Sequence, residues 1–188
     1  MIVTIHQPNF LPWLPFFEKI KSSDVFVFLN HCQFEKNNYQ NRFFYRDSWR
    51  TMSVNKGLEP IVQKKYVSPL EDWKKIKVNL KDKKWLLDQY DECISESLWT
   101  TNHDIIMKTL KLMNIKTHIE YDFPTEKKSN ERLIEICKKL GATTYLAGTG
   151  GKNYMNLELW KEEGINVVFQ EVNENAKIHT LDFLGDRR

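Results

Sequence analysis

The sequence predicts an α/β fold: a single domain with a mostly parallel sheet and an inserted β-hairpin and helical segment. Short apolar runs alternate with helical patterns at both ends of the chain, which is typical of parallel strands joined by helices. The apolar runs at residues 2–5 and 25–29 are continuous, as in strands buried on both faces. The length of 188 residues is that of one domain. We therefore expect one Rossmann-like domain over residues 1–188, with the insertion over about residues 39–115.

The first strand ends in a polar turn, His6-Gln7-Pro8-Asn9, in which Pro8 restricts the backbone. Apolar residues at helical spacing follow this turn, and the second strand follows that helix. Open α/β sheets bind ligands at the carboxyl ends of their strands. His6, Gln7 and Asn9 are therefore candidate site residues.

Further elements follow in order along the chain. Two extended runs around a polar break predict the hairpin, and Ser68-Pro69 followed by acidic residues predicts the start of a helix. Gly141 and Gly164 end two later helices. The predicted hairpin, strands and helices lie at residues 43–54, 61–67, 68–90, 101–113, 117–121, 129–140, 143–147, 157–163 and 165–169.

Composition and charge narrow the class of protein. Hydrophobic residues at 41% and charged residues at 28% are ordinary for a soluble globular protein. A net charge of +3 argues against a partner such as duplex DNA, which requires a strongly basic face. Cys32, Cys93 and Cys137 lack the spacing of a disulfide framework or metal site, so we predict no metal ion. We expect no secretory leader and no membrane span, and hence a cytoplasmic protein with reduced thiols.

Two blocks of the sequence are distinctive. The first is IHQPNFLPWLPFFEKIKSSDVFVFLNHCQFEKNNYQNR, and the second is ERLIEICKKLGATTYLAGTGGKNYM followed by LWKEEGINVVFQ. Both blocks resemble signatures of the WbqC-like family. The resemblance implies a bacterial protein associated with gene clusters for surface polysaccharide (O-antigen). It also implies an enzyme that modifies an activated sugar.

His6 is the candidate catalytic residue. Imidazole titrates near neutral pH and can act as an acid or a base. The structural alternative is a histidine that only hydrogen-bonds its own loop. The loop Gly148-Thr149-Gly150-Gly151 follows another predicted strand, and glycines there allow close approach of the backbone to an anion. The alternative interpretation of this loop is a tight turn with no ligand-binding role.

A polar loop after the second strand supplies further candidates. Amide and guanidinium groups suit hydroxyl, phosphate and carboxylate ligands. The lysine-rich stretch at residues 73–90 is predicted to be a solvated helical face, or else a face toward an anionic ligand. The complete set of predicted substrate-binding residues is Gln7, Asn9, Trp13, Gln33, Lys36, Asn41, Arg42, Gly148, Gly150 and Gly151.

The leading hypothesis is a transferase that acts on a nucleotide-activated sugar, or on its amino group, with His6 as the acid–base. In it Lys36, Arg42 and the glycine-rich loop hold an anionic group. The second hypothesis is an ATP-dependent ligase or nucleotidyltransferase, which would use ATP and Mg²⁺. The third is a non-catalytic accessory protein that binds a nucleotide-sugar or glycan. The sequence leaves open the cofactor, the sugar and whether the chain forms a homodimer.

Overall fold

The computed structural model of the chain describes residues 1–172 and 178–186. Its contacts divide into two compact units, each assembled from segments that are distant in sequence. Of the described residues, the sheet unit comprises 1–6, 15–29 and 115–172, and the hairpin unit comprises 7–14, 30–114 and 178–186. The long segment 30–114 of the hairpin unit lies close to the insertion predicted at residues 39–115. That residues 1–188 form a single domain stays a prediction.

Seven strands and seven helices are numbered here in chain order, within the described residues. The strands are β1 (Ile2–His6), β2 (Val25–Phe28), β3 (Arg42–Tyr45), β4 (Ser48–Thr51), β5 (His118–Tyr121), β6 (Thr144–Ala147) and β7 (Asn166–Phe169). The helices are α1 (Leu14–Lys21), α2 (Pro69–Asn79), α3 (Lys84–Leu87), α4 (Leu98–Leu112), α5 (Ser129–Lys139), α6 (Leu157–Glu162) and α7 (Thr180–Gly185).

The predicted α/β class with a mostly parallel sheet is confirmed. Five strands form one parallel sheet in the order β5-β2-β1-β6-β7. From β1 the chain builds outward through β2 and β5 on one side, and it then returns to add β6 and β7 on the other side. The direction of winding therefore reverses between β1 and β6. Such a reversal is the point at which open α/β sheets bind ligands.

Both faces of this sheet are covered by apolar side chains, which explains the continuous apolar runs of its strands. Val3 and Val27 belong to a buried core that also contains Leu133 and Cys137 of α5. On the opposite face, Phe26 packs against Phe16 of α1 with ring centroids 5.7 Å apart. Alternate residues of each strand thus face opposite sides of the sheet.

The hairpin unit contains the predicted hairpin, formed by β3 and β4. Arg46 and Asp47 connect these strands with φ angles of 49° and 58°, the left-handed backbone of a two-residue hairpin turn. The strand predicted over residues 61–67 is wrong, because Ile61–Gln63 forms a turn of 3-10 helix. The N–H groups of Ile61 and Val62 donate to the carbonyls of Cys32 and Asn30 in the loop after β2, and the N–H of Gln63 donates to the carbonyl of Pro60, so none of them joins a strand ladder.

Candidate functional site

We name the carboxyl ends of β1 and β6 the switch-point edge. It begins at His6, the last residue of β1, and at Gly148, the first residue after β6. The ladder between the two strands pairs Ile2 with Thr144 and Val3 with Tyr145, and goes no further. Next along β1, the side-chain hydroxyl of Thr4 donates to the carbonyl of Leu146 at 2.8 Å. Since β1 stays paired with β2 as far as His6, β1 and β6 separate toward their carboxyl ends. This separation lies at the edge where the strand order favours ligand binding.

His6 ends β1 at this edge. Its ring is half-buried and meets the ring of Phe16 edge-on, with centroids 5.0 Å apart. The backbone N–H of Leu29 donates to the carbonyl of His6 at 2.9 Å, which holds the strand end in place. The imidazole therefore lies on the face of the sheet that α1 covers, with part of its surface in reach of solvent.

The glycine-rich loop follows β6 at the same edge. Thr149–Asn153 forms a 3-10 turn, and the N–H of Gly151 donates to the carbonyl of Gly148 at 3.0 Å. A Cβ on Gly151 would lie 3.1–3.2 Å from neighbouring side chains, so packing alone accounts for this glycine. A Cβ on Gly150 would meet no atom within 4 Å, which leaves open space beside the loop. The predicted contacts of both glycines with a ligand stay predictions.

Lys19 is a candidate that no sequence pattern singled out. Its side chain extends from α1 and is only 2% exposed. A Cβ on Gly148 would lie 3.8 Å from its Nζ atom, so the amine lies against the start of the glycine-rich loop. Burial lowers the pKa of Lys19 to about 7. The spacing of Phe16 and Lys19, three residues apart on one helix, was the available signal that both share the buried face.

The other predicted residues lie in the hairpin unit, where several make structural hydrogen bonds. The Gln7 carbonyl oxygen accepts from the Gln40 side-chain amide at 2.7 Å, and the Gln7 amide donates to Glu35 at 3.1 Å. The Asn41 amide donates to the carbonyl of Met52 at 2.8 Å and thereby supports the hairpin. These bonds give Gln7 and Asn41 a role in folding, whether or not a ligand contacts them.

The charged side chains of this loop have different surroundings. The Arg42 guanidinium stacks on Trp49 at 3.9 Å from the ring centroid and donates to the carbonyl of Asn37. Lys36 is exposed. The structure thus places His6, Gly148, Gly150 and Gly151 in the sheet unit, and Gln7, Asn9, Trp13, Gln33, Lys36, Asn41 and Arg42 in the hairpin unit.

Comparison with known proteins identifies the family. The model of the WbqC-like protein family matches residues 7–181. The chain belongs to the WbqC-like protein family. A relative from Mycobacterium tuberculosis (strain ATCC 25618 / H37Rv), named "Uncharacterized protein Rv1507c", is 23% identical over 188 residues, which is 89% of this chain and 80% of that protein. No solved structure matches the chain.

The two buried cysteines of this WbqC-like protein, Cys93 and Cys137, are weak nucleophiles. Burial raises the pKa of Cys93 to about 11 and that of Cys137 to about 12, so both stay protonated thiols. Among residues 1–172 and 178–186, no three His, Cys, Asp or Glu side chains come together as a metal ion requires. Within the same residues, no helix has both the length and the apolar character to cross a bilayer.

The lysine-rich stretch of the WbqC-like protein borders a groove of about 770 Å³ in the hairpin unit. Lys77 donates to Asp91 at 2.6 Å and to Asp88 at 3.0 Å, and Lys84 donates to Asp88 at 2.6 Å. These carboxylates neutralise two of the lysines, which weakens the positive field toward an anionic ligand. The contacts favour the solvated-face interpretation of the stretch.

Proposed function

We propose that this WbqC-like protein is a transferase that modifies an activated amino sugar in bacterial surface-polysaccharide synthesis, with the reaction centred on His6. The observation that carries the proposal is the switch-point edge. There an imidazole and a glycine-rich loop follow adjacent parallel strands that separate toward their ends. The resemblance of the two sequence blocks supplies the class of substrate.

In the proposed reaction, a hydroxyl or amine attacks the activated carbon of the donor, and the bond from that carbon to the activating group breaks, so the activating group leaves with the electron pair. His6 accepts the proton that the attacking hydroxyl or amine loses. General-base catalysis of this kind contributes about 10²–10⁴-fold to a rate. The edge-on contact with Phe16 restricts rotation of the imidazole, and its half-buried position keeps one side accessible to substrate. The loop from Gly148 lets the backbone approach an anionic group of the same substrate.

Ligand screening tests the class of substrate. A ligand at a hundred times its dissociation constant adds about 2.7 kcal/mol to the free energy of unfolding, which raises Tm by several degrees. We expect stabilisation by nucleotide-sugars. Stabilisation by ATP only in the presence of Mg²⁺ would favour a ligase or nucleotidyltransferase, and saturable binding with no turnover of any donor would favour an accessory protein.

Substitution of His6 tests its catalytic role. We expect His6→Ala to lower kcat by about 10²–10⁴-fold while Tm changes little, because the ring is half-buried and ends its strand. The matched control is His118→Ala. His118 is an exposed histidine at the amino end of β5, in the same sheet, whereas His6 is at the carboxyl end of β1. The test is a measurement of kcat and Tm for the wild type, His6→Ala and His118→Ala. Loss of activity in proportion to loss of Tm would contradict the proposed role.

A further inference from the structure

Among residues 1–172 and 178–186, two lysines are almost wholly buried, and their surroundings differ. Lys64, in the hairpin unit, is 1% exposed, and its Nζ donates to the carbonyls of Asn55 and Gly57 at 2.7 and 2.9 Å. The carboxylate of Glu59 lies 3.4 Å from the same atom. Lys64 is therefore an ordinary buried cation, surrounded by oxygen atoms that replace its water.

Lys19, in the sheet unit, is 2% exposed but has no such surroundings. Among residues 1–172 and 178–186, its Nζ makes no hydrogen bond and no ion pair, and the atom keeps only a small contact with solvent. An ammonium that loses most of its hydration and gains no partner gives up its proton more readily. Burial accordingly lowers the pKa of Lys19 to about 7. An unpartnered amine of this kind is rare in the interior of a protein and costs stability.

The amine lies at the switch-point edge. Its Nζ is close enough to Gly148 that a Cβ there would come within 3.8 Å. Gly148 is half-exposed, whereas the Lys19 side chain is buried. A ligand that reaches the backbone of Gly148 therefore also reaches the amine. The absence of a side chain at residue 148 keeps this approach open.

We propose that Lys19 is the anion-binding residue of the switch-point edge, and that it takes up a proton when a phosphate or diphosphate group binds beside Gly148. The proposal rests on the proposed function for the position of the substrate. It adds the residue that neutralises the anionic group, and it makes binding dependent on proton uptake. The incoming oxyanion supplies the counter-charge that the described side chains around Lys19 do not supply, so binding stabilises the ammonium form over the neutral amine.

Few other titratable groups face this amine. Within the described residues, the strand side chains that titrate on the face covered by α1 are His6 of β1 and Tyr121 of β5. On α1 itself, Glu18 and Lys21 are exposed. Because these groups are few, proton uptake above pH 8 on anion binding is expected from Lys19.

Calorimetric titration tests the proposal, with uridine diphosphate and inorganic sulfate as probes. Sulfate does not titrate between pH 6 and pH 9, so protons taken up with it come to the protein. We expect close to one proton per bound anion at pH 8, measured from the heats in two buffers of different ionisation enthalpy. We also expect the affinity to fall by up to about tenfold per pH unit above pH 7. Binding without proton uptake, or no binding of either probe at 10 mM, would overturn the proposal.

Variants separate Lys19 from general charge effects. We expect Lys19→Met to weaken binding by about 10–100-fold and to abolish both proton uptake and the pH dependence. Lys21→Met is the matched control, since Lys21 is an exposed lysine on the same helix, and it should bind like the wild type. Equal binding by Lys19→Met and wild type would overturn the proposal even if nucleotide-sugar turnover is found. Proton-linked binding lost in Lys19→Met, with no turnover of any donor, would support it while refuting the proposed transferase.

Discussion

At the scale of single residues, a buried amine or imidazole is informative only together with its partners. Lys64 and Lys19 have similar exposure, at 1% and 2%, yet only Lys64 is surrounded by carbonyl and carboxylate oxygens. The first arrangement stabilises a fold, because the cation exchanges water for protein oxygens. The second keeps an amine beside the loop after β6, at a cost in stability that is consistent with the proposed anion-binding role.

The stability cost of Lys19 is itself measurable. Its pKa of about 7 in the folded protein lies below its ordinary value of 10.5, so between these pH values the unfolded chain binds the proton and the folded chain does not. Stability from this group therefore rises with pH, by about 1.4 kcal/mol per pH unit. We expect Lys19→Met to exceed the wild type in free energy of unfolding at pH 7. The excess should shrink by about 2–3 kcal/mol at pH 9.

Urea unfolding of the two proteins at both pH values measures this change. Lys21→Met provides the baseline, because Lys21 is an exposed lysine on the same helix, and its difference from wild type should stay constant between the two pH values. A constant difference for Lys19→Met as well would mean that its amine is charged in the folded protein at pH 7.

At the scale of elements, helix ends depended on which polar groups found partners. The helix predicted to begin near residue 101 begins at Leu98, because the Ser97 side chain accepts from the N–H of Thr100 at 3.1 Å. Ser129 or Asn130 is suggested by sequence as a helix cap. Instead α5 begins at Ser129, and the Asn130 side chain accepts from Trp160 Nε1 at 2.9 Å. A side chain of a type that often caps helices can thus form its hydrogen bond with a different element of the fold instead.

The start of α7 gives a prediction about acid stability. The His179 ring is buried next to Tyr45, and its Nδ1 accepts from the N–H of Leu181 at 3.2 Å. Burial lowers the pKa of His179 to about 4, although the nearby Asp182 carboxylate opposes this. The folded-state pKa lies below the ordinary 6.5, so the unfolded chain takes the proton first as pH falls. Stability from this group is complete above pH 6.5 and is lost toward pH 4, by about 3 kcal/mol.

His179→Asn tests this assignment, since asparagine also accepts a hydrogen bond at a helix start but does not titrate. We expect its free energy of unfolding to fall less steeply between pH 6.5 and pH 4 than that of the wild type. His118→Ala, which changes an exposed histidine, should keep the wild-type slope. An unchanged slope in His179→Asn would assign the acid sensitivity to other groups.

At the scale of the whole molecule, the chain passes repeatedly between the sheet unit and the hairpin unit. Neither unit is one continuous segment, so neither can complete its core before the intervening chain is fixed at both ends. We therefore expect a single cooperative unfolding transition, with equal calorimetric and van't Hoff enthalpies. This is also what the prediction of one domain over residues 1–188 requires.

Core truncation on one side tests this cooperativity. Leu98 is fully buried in the core of the hairpin unit, and Leu98→Ala should lower the free energy of unfolding by about 2–5 kcal/mol. If unfolding is cooperative, hydrogen exchange should then accelerate in β1 and β2 of the sheet unit as well as around the substitution. Acceleration confined to the hairpin unit, or two separate thermal transitions, would contradict a single cooperative domain.

The sequence alone determined the α/β class, the parallel strands, the hairpin and the family, because these depend on local patterns of apolar residues and on motifs that are continuous in the chain. It also predicted that His6 and Gly148 follow strands at one edge of the sheet. Burial and partnership were decided only by the tertiary structure. In the sequence Lys19 is an ordinary polar residue of a predicted helix, and only the folded protein buries it. Likewise, Gln7 is paired with Gln40 only in the folded protein, because the two residues are far apart in the sequence. A side chain's solvation, and hence its pKa, depends on neighbours that are distant in sequence, so it cannot be deduced from a local pattern.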